Sequence, residues 1–323
     1  MKLTEIYWHL RSDIGKIEQA LEKTIEAEHP VLRDASTHLL KAGGKRIRPV
    51  FVLLSAQFGN YDLNRIQQIA VPLELIHMAS LVHDDVIDDA DLRRGKETVK
   101  AKWDNRVAMY SGDYIFARAI EMATYCEQSE VHLILANAMK EMSIGEVEQI
   151  RDQYNEEQDL RKYLRRIKRK TALLIAVSCQ LGAVVAEAKP NVQKQLYWFG
   201  YYVGMAYQVT DDILDFIGTE KELGKPAGSD LQQGNLTLPA LYGMRRDDTL
   251  KQWISEHFRH PYGNHLPIDD VIARVKQNGA IADSQKLARQ YLQKAFLALE
   301  QLPNTRAKKS LRQIGEYIEK RNS

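Results

Sequence analysis

The chain has 323 residues, of which 44% are hydrophobic, and this content supports a substantial core and excludes a disordered protein. Its formal net charge of +2 excludes a global field for binding polyanions, and no nucleic-acid motif is present, so no nucleic-acid partner is expected. Cys126 and Cys179 lie far apart without a CxxC pair, which indicates reduced, buried thiols in a cytoplasmic protein rather than a disulfide framework or a zinc site.

Helical periodicity covers most of the chain, whereas alternating strand patterns are almost absent and glycine and proline are sparse. Helices are predicted at residues 3–27, 31–42, 49–58, 64–89, 97–103, 106–126, 130–153, 158–169, 171–187, 191–217, 236–244, 248–257, 268–278, 280–300 and 304–321. No linker rich in serine, glycine or proline divides them. The sequence therefore predicts one all-α domain over residues 1–323.

Two of these segments, at residues 64–82 and 171–186, are apolar on every side and are expected to be central in the fold. The second is the longest apolar stretch, but it contains Ser178 and Gln180 and falls short of the roughly 20 residues that span a bilayer. Residues 1–15 lack the apolar region of a signal peptide. We therefore expect a soluble protein.

A basic loop between two predicted helices has the sequence GGKRIRP at residues 43–49. Its glycines suit the end of one helix, and Pro49 suits the start of the next. Lys45, Arg46 and Arg48 therefore gather near a helix N-terminus, where backbone N–H groups and the helix dipole favour anions such as phosphate. An exposed basic loop without a ligand is the alternative interpretation.

An acidic segment, HDDVIDD at residues 83–89, follows the first apolar helix. On a helix, Asp84 and Asp88 project from one face, and His77 lies two turns earlier on the same face. Like charges at that spacing destabilise a helix, and the helix dipole disfavours anions near its C-terminus. A divalent cation with oxygen ligands explains this pattern, and a solvated acidic helix end is the alternative; the spacing excludes an EF-hand loop.

A second copy of the acidic pattern favours the metal site over the solvated helix end. Residues 210–215 have the sequence TDDILD after another apolar run, which places Asp211, Asp212 and Asp215 on a second helix. The two DDxxD segments are expected to face each other across a cavity and to hold metal ions between them.

Two other polar segments carry weaker signals. The run RKYLRRIKRK at residues 161–170 is expected to be mostly a solvated face. The glycine-rich segment 218–239 is typical of a mobile lid that brings Lys225 to an anion, and a simple surface loop is the alternative.

Three further polar residues lie beside apolar helices. Lys170 and Thr171 open the apolar helix at 171–187, and Gln208 lies three residues before Asp211.

Carboxylates bridged by metal, together with inward-facing cations, indicate a bound diphosphate. Apolar helices behind such a site indicate a hydrocarbon tail. The chemistry that joins the two is the ionisation of an allylic diphosphate.

These motifs resemble those of the trans-prenyltransferases, which are all-trans polyprenyl diphosphate synthases. The matching segments lie between about residues 40 and 240 and occur in the same order as in the family. They are GKRIRP from Gly44, ELIH from Glu74, the first DDxxD with Arg93-Arg94-Gly95, Gly145-Glu146, Lys170-Thr171, Gln208 with the second DDxxD, and Gly224-Lys225 with Gly228 and Asp230. The resemblance implies an isoprenoid synthase fold, which is one large helical domain with a central cavity between the two DDxxD helices. It also implies Mg²⁺ as the cofactor, and isopentenyl diphosphate and farnesyl diphosphate as substrates.

The resemblance further implies roles for single residues. The expected metal ligands are Asp84, Asp88 and Asp211, supported by Asp85, Asp212 and Asp215. The expected isopentenyl diphosphate site comprises Lys45, Arg48, His77 and Arg94. The expected allylic diphosphate site comprises Arg93, Lys170, Thr171, Gln208 and Lys225. One departure from the family is Asn235, which stands where many relatives carry lysine and puts one phosphate contact in doubt.

Product length is expected to depend on the helix before the first acidic motif. Short-chain members of the family place an aromatic residue five or four positions before that motif, where this chain has Ala79 and Ser80, which are both small. The next helical turn, about 5.4 Å deeper, presents Ile76. No bulky side chain closes the mouth of the expected tunnel, so the resemblance predicts a long product.

Within the family, the chain most resembles the larger, catalytic component of bacterial heptaprenyl diphosphate synthases. This resemblance implies a heptaprenyl product for the menaquinone side chain and a small, non-identical partner subunit. Release of such a product also implies peripheral contact with a membrane.

Three alternatives remain open. A homodimeric octaprenyl or nonaprenyl diphosphate synthase shares nearly every motif. A class I terpene cyclase also uses a DDxxD segment, but it needs no second diphosphate site, so Lys45, Arg48 and Arg94 disfavour it. A non-catalytic partner subunit would be expected to lose aspartates, and this chain keeps both acidic motifs.

Overall fold

The structure is a computed structural model that describes residues 3–219, 226–261 and 266–321. These residues form sixteen α-helices, which are α1 (Leu3–Thr24), α2 (Pro30–Lys41), α3 (Ile47–Ala56), α4 (Leu63–Ile87), α5 (Val99–Lys102), α6 (Asn105–Ala123), α7 (Ser129–Asp152), α8 (Leu160–Ile167), α9 (Leu173–Val185), α10 (Pro190–Ile217), α11 (Ser229–Gln232), α12 (Leu238–Met244), α13 (Asp248–Arg259), α14 (Ile268–Gln277), α15 (Ala280–Glu300) and α16 (Arg306–Lys320). The β-structure of the described residues is one hairpin, β1 (Leu92–Arg93) with β2 (Lys96–Glu97). The predicted all-α class is confirmed.

The hairpin lies just after the first acidic motif and was not predicted. Its register pairs Leu92 with Glu97, and Arg94 and Gly95 form its two-residue turn at φ values of 55° and 74°. Two successive positive φ angles give the turn whose twist matches the twist of the flanking strands. Because Asn-Gly or Asp-Gly is the usual sequence signal for this turn, the Arg-Gly pair does not predict a hairpin.

The junction between α8 and α9 also differs from the prediction. Two separate helices were expected there, but Lys168–Ala172 forms a π-helical turn that makes the path helical from α8 into α9. A π-helical turn inserts one extra residue into the helical path and changes the direction in which the following side chains project. Lys170 and Thr171, two of the predicted diphosphate-binding residues, lie within this turn.

The run at residues 161–170, predicted to be mostly a solvated face, buries three of its ten residues. Tyr163, Arg166 and Ile167 are buried, and Arg161 and Arg165 are exposed. The buried positions recur at the spacing of one helix face, so α8 is an amphipathic helix whose inner face contains an arginine.

The chain forms two compact units. Unit 1 comprises the described residues as far as Met139, together with Val177–Tyr197 and Gln301–Gln313. In its core, α4 buries almost every residue from Ile69 to Ala79, as predicted for an apolar helix. Helices α3 and α9 pack closely there, because a Cβ on Gly182 would lie 2.4 Å from the Val52 carbonyl oxygen.

Unit 2 comprises Lys140–Ala176, the described part of Trp198–Glu300, and the described residues from Ile314 onward. Its core is formed mainly by side chains from α8, α10, α12 and α13, including Tyr163, Val209, Ile213, Phe216 and Leu250. No helix within the described residues is long and apolar enough to cross a membrane. The assignment of residues 1–323 to a single domain stays a prediction.

Candidate active site

The basic loop of residues 43–49 contacts the hairpin turn in unit 1. The Arg94 guanidinium donates from Nη1 to the Gly43 carbonyl oxygen, and a Cβ on Gly44 would lie 2.7 Å from the same nitrogen. A side chain at position 44 would therefore have to displace the flexible end of Arg94 from this contact. This contact places Arg94 against the loop that carries Lys45 and Arg48, two further residues predicted to bind isopentenyl diphosphate.

Arg46 holds the same loop from inside unit 1. Its backbone is left-handed, with φ at 46°, and it is the residue before α3. The buried guanidinium donates from Nε to Glu18 at 2.5 Å and from Nη1 to Glu74 at 3.2 Å, and it also reaches the Leu40 carbonyl oxygen at 3.3 Å. Two carboxylates and a carbonyl thus fix Arg46, whereas the sequence grouped it with the phosphate-binding cations.

His77 lies on α4 among the cations of this loop. Burial lowers the pKa of His77 well below its usual range, and the positive charges of Arg48 and Arg94 act in the same direction. The imidazole is therefore neutral at pH 7 and can donate a hydrogen bond without adding a charge. The charges of Arg48 and Arg94 thus both act on His77, and the grouping of these residues in one binding site stays a prediction.

The first acidic motif lies at the end of α4, as predicted. Asp84 is half-buried in the last helical turn, and Asp88 is exposed at the residue after the helix, where its backbone N–H donates to the Asp84 carbonyl oxygen at 2.8 Å. Both carboxylates lie where the negative end of the helix dipole disfavours them. A bound cation would remove that penalty.

Asp85 faces a different partner from its two neighbours in the motif. It is buried, and Nε and Nη2 of Arg93 both lie 2.6 Å from its Oδ1 atom. Burial raises the pKa of Asp85 and the Arg93 charge opposes this rise. The ion pair therefore joins Asp85, which was predicted to support the metal, to Arg93, which was predicted to bind the allylic diphosphate. The pair orients the Arg93 guanidinium.

The predicted chain-length residues lie on α4 in the two turns before Asp84. Ile76 and Ala79 are buried, and Ser80 is half-buried with its hydroxyl donating to the His77 carbonyl oxygen at 2.9 Å. Their role in setting product length stays a prediction.

The second acidic motif lies in the last two turns of α10, in unit 2. Asp211 Oδ1 lies 3.2 Å from Nη1 of Arg321, whose guanidinium carbon lies 5.5 Å from the ring centroid of Tyr207. This arginine follows α16 and is separated from the motif by more than a hundred residues. The sequence gives no signal for the contact, because the final helix resembles the family only as a generic helical pattern.

Asp212 is enclosed in the core of unit 2. Its Oδ2 atom accepts a hydrogen bond from the Tyr163 hydroxyl at 2.7 Å, and its Oδ1 atom accepts one from Gln208 Nε2 at 2.9 Å. Burial raises the pKa of Asp212 to about 7, although both hydrogen bonds oppose the shift. Tyr163 was not predicted as a site residue, because it lies in a run that looked like a solvated surface.

The third aspartate of this motif contacts the described part of the glycine-rich segment. Asp215 is buried, its carbonyl oxygen accepts from the Gly228 N–H at 2.8 Å, and its Oδ1 atom accepts from the Ser229 hydroxyl at 3.3 Å. The Asn235 N–H then donates to the Asp230 carbonyl oxygen at 2.8 Å. Lys225, the predicted lid lysine, lies outside the described residues.

The π-helical turn orients two of the residues predicted to bind the allylic diphosphate. The Thr171 hydroxyl donates to Gln208 Oε1 at 2.6 Å. Lys170 Nζ donates to Gln149 Oε1 at 2.9 Å and lies 3.9 Å from Glu146. Gln208 thus connects Thr171 to Asp212 through two hydrogen bonds.

The acidic residues fit a hard divalent cation by their chemistry. They supply carboxylate oxygens, which are the ligands that Mg²⁺ and Ca²⁺ prefer. Across residues 3–219, 226–261 and 266–321, however, no three His, Cys, Asp or Glu side chains converge as a complete ligand set. Mg²⁺ bound by proteins commonly keeps substrate phosphates and water among its ligands.

A comparison with known proteins identifies the family. Residues 29–272 match the family model of the polyprenyl synthetases, and this span covers most of the chain. The chain belongs to the polyprenyl synthetase family.

Individual relatives agree with this assignment. This polyprenyl synthetase is 56% identical to heptaprenyl diphosphate synthase component 2 of Bacillus subtilis (strain 168), over 99% of this chain and 91% of that protein. The crystal structure of heptaprenyl diphosphate synthase from Staphylococcus aureus matches with a TM-score of 0.92 and 40% identity, covering 97% of this chain and 99% of that one. Polyprenyl synthase from Caulobacter crescentus CB15, complexed with calcium and isoprenyl diphosphate, matches with a TM-score of 0.94 and 28% identity, covering 100% and 98%.

These relatives confirm the predicted isoprenoid synthase type of fold and the predicted activity. The polyprenyl synthetase is a prenyltransferase that elongates all-trans prenyl chains.

Removing the Arg46 guanidinium is expected to destabilise the polyprenyl synthetase strongly. Arg46→Met leaves Glu74 buried with a charge that has lost its partner, which costs about 3–5 kcal/mol of unfolding free energy. Arg65→Met is the matched control, because the ion pair of Arg65 with Glu187 is exposed on both sides and contributes only about 0–1 kcal/mol. Urea unfolding of both variants measures the difference, and equal losses would contradict the role given to Arg46.

Proposed function

We propose that this polyprenyl synthetase is the catalytic component of a heptaprenyl diphosphate synthase. It condenses farnesyl diphosphate with successive isopentenyl diphosphates to give an all-trans heptaprenyl diphosphate for the menaquinone side chain. The observation that carries this proposal is the 56% identity, over 99% of the chain, to a relative named heptaprenyl diphosphate synthase component 2. The small side chains of Ala79 and Ser80 before the first acidic motif agree with a long product.

In the proposed mechanism, the chain binds two diphosphates with separate sets of residues. Lys45, Arg48, His77 and Arg94 bind isopentenyl diphosphate, and Arg93, Lys170, Thr171, Gln208 and Lys225 bind the allylic diphosphate. Fixed cations and hydrogen-bond donors stabilise the charge that develops on the leaving diphosphate more strongly than they stabilise the bound substrate. The neutral imidazole of His77 contributes a hydrogen bond within a cluster that is already rich in positive charge.

Mg²⁺ held by Asp84, Asp88 and Asp211 would supply further charge neutralisation on the departing diphosphate. The C–O bond of the allylic diphosphate breaks, and the double bond of isopentenyl diphosphate attacks the allylic cation to form the new C–C bond. The released diphosphate accepts the proton that is then lost, since no side chain is an obvious base. Apolar walls keep water away from the cation until the new bond has formed.

The proposal includes a small, non-identical partner subunit. The word component in the name of the Bacillus subtilis relative supports it, because a component implies at least one other. We also propose a cytoplasmic location, since Cys126 and Cys179 are buried thiols without a disulfide, as expected in a reducing compartment. Release of a long apolar product would bring the complex into peripheral contact with a membrane.

A product-length assay tests this proposal. The purified chain is incubated with farnesyl diphosphate, radiolabelled isopentenyl diphosphate and Mg²⁺, first alone and then with the candidate small subunit. The mixture is expected to make heptaprenyl diphosphate at least about 10-fold faster than the chain alone. A partner that binds the active conformation of this chain raises the population of that conformation and so raises turnover. Chelation with EDTA is expected to abolish the product.

The controls distinguish the alternatives. Full activity of the chain alone, with an octaprenyl or nonaprenyl product, would identify a homodimeric long-chain synthase. A cyclic hydrocarbon formed from a single allylic substrate would contradict the transferase. Activity of the partner without this chain would assign this chain a non-catalytic role.

A further inference from the structure

A buried tyrosine connects the core of unit 2 to the second acidic motif. Tyr163 is fully buried in the apolar cluster of that unit, yet its hydroxyl donates to Asp212 Oδ2 at 2.7 Å. The Arg166 guanidinium carbon lies 5.7 Å from the ring centroid, and this buried arginine donates to Gln158 Oε1 at 2.8 Å and to the Leu236 carbonyl oxygen at 2.6 Å. The ring is thus held on α8 by packing, and the hydroxyl has a fixed direction.

The hydrogen bonds that begin at this tyrosine have a defined order. Gln208 presents its NH₂ group to Asp212, because its Nε2 atom donates a hydrogen bond to Asp212 Oδ1 at 2.9 Å. The amide oxygen of Gln208 then faces the other way and accepts from the Thr171 hydroxyl at 2.6 Å. Asp212 therefore determines which side of the Gln208 amide faces Thr171, and it fixes the direction of the Thr171 O–H bond.

The two adjacent aspartates of the motif lie in different surroundings. The Asp211 side chain keeps about a third of its surface exposed and pairs with Arg321, whereas Asp212 is buried and both of its oxygens accept hydrogen bonds from neighbouring side chains. Consecutive residues on a helix project about 100° apart and do not share a face. A role in binding metal suits Asp211, and the contacts of Asp212 lead to Gln208 instead.

We propose that Tyr163 and Asp212 are positioning residues, which hold the Gln208 amide, together with Thr171, in the orientation that aims its second N–H at the allylic substrate. This inference rests on the proposed function, which places Thr171 and Gln208 at the allylic diphosphate. It assigns Tyr163 a role in the reaction and replaces the predicted metal-supporting role of Asp212. Loss of the Tyr163 hydroxyl lets the Asp212 carboxylate rotate, and the Gln208 amide and Thr171 hydroxyl lose their fixed directions.

Steady-state kinetics of Tyr163→Phe test the role of the hydroxyl. The variant is expected to lower kcat by about 10- to 100-fold, the size of a misorientation effect, while KM for isopentenyl diphosphate changes less than about twofold. Ser284→Ala is the matched control, because it removes another buried hydroxyl of unit 2 that donates to a backbone carbonyl at 2.8 Å, and it should leave kcat unchanged. A wild-type kcat in Tyr163→Phe would overturn the proposal.

A double-mutant cycle tests whether Tyr163 acts through Gln208. In a Gln208→Ala background, Tyr163→Phe is expected to lower kcat by less than about twofold further, because the group that it orients is already gone. Independent effects, in which the two losses multiply, would overturn the proposal. Near-ultraviolet circular dichroism of each variant confirms the native fold. If the wild type itself fails to elongate farnesyl diphosphate, the proposed function fails, and this outcome is distinct from a normal Tyr163→Phe.

Metal binding separates the two adjacent aspartates without relying on turnover. Calorimetric titration of Mg²⁺ is performed in the presence of an unreactive thiolo analogue of farnesyl diphosphate. Asp211→Asn is expected to weaken Mg²⁺ binding by about 10-fold or more, whereas Asp212→Asn should change it by less than about twofold, because only a ligand or its orienting partner affects the metal directly. If both variants weakened Mg²⁺ binding equally, Asp212 would support the metal as Asp211 does, and its positioning role would be overturned.

Discussion

The Asp84→Ala variant is expected to turn over about 10²- to 10³-fold more slowly than the wild type, while its fold becomes no less stable. Asp84 lies in the last turn of α4, and Asp88 follows one turn later. The helix dipole and the second carboxylate both disfavour a negative charge at this position. Removing the carboxylate relieves roughly 0.2–0.5 kcal/mol of repulsion, but it also removes a proposed magnesium ligand.

Measuring rate and stability on the same preparation makes this prediction specific. Asp91→Ala is the matched control, because Asp91 belongs to the same acidic region, its side chain is 80% exposed, and its Oδ1 atom lies 3.4 Å from Nζ of Lys100. The control should keep kcat within about twofold of the wild type, as expected for an exposed surface substitution. A near-normal kcat in Asp84→Ala would contradict the metal-ligand role, and a loss of fold would make Asp84 a structural residue.

The helices could be predicted from the sequence because their periodic apolar residues are local signals. The long apolar segments became α4 and α9, whose burial was expected from their composition. The hairpin at residues 92–97 depends on positive φ angles at Arg94 and Gly95. Arginine has no preference for a positive φ angle, so the sequence does not predict this turn. The π-helical turn at Lys168–Ala172 depends on how α8 and α9 pack against the rest of the protein, and the local sequence pattern does not reveal this packing.

The residue types of the candidate site could be predicted, but the partners of the side chains could not. DDxxD spacing predicts that Asp84 and Asp88 share a helix face. The second aspartate of each motif has a partner outside the motif, and the DDxxD spacing predicts neither partner. Asp85 meets Arg93 through the hairpin, and Asp212 meets Tyr163 from a helix 49 residues earlier. Such contacts follow from tertiary packing, which neither spacing nor composition reveals.

Arg46 illustrates the same limit for the basic loop. By residue type it is one of three cations near a helix N-terminus, and nothing local separates it from Lys45 or Arg48. In the fold its left-handed backbone turns the guanidinium toward Glu18 and Glu74. A charge that looked like a phosphate ligand is instead neutralised within the protein, and it shapes the loop that presents the other two cations.

The Ala79→Tyr variant is expected to stop elongation after a few isoprene units, in place of the long product of the wild type. Ala79 is fully buried on α4, five residues before Asp84. If the growing chain extends along α4 behind the acidic motif, a phenol ring at this position fills its path. Chromatography of the dephosphorylated products measures the change, and a graded series of Ala79→Val, Leu and Phe should shorten the product in order of side-chain volume.

Stability distinguishes a tunnel from a packed core at Ala79. A large side chain forced into a filled core typically costs about 1–3 kcal/mol, whereas a ring that enters an existing tunnel costs little. We therefore expect Ala79→Tyr to keep most of its unfolding free energy and its rate of first condensation. Ser80→Phe, at a half-buried position one residue closer to the motif, should shorten the product similarly. A wild-type product distribution in both folded variants would show that the growing chain does not run along this face of α4.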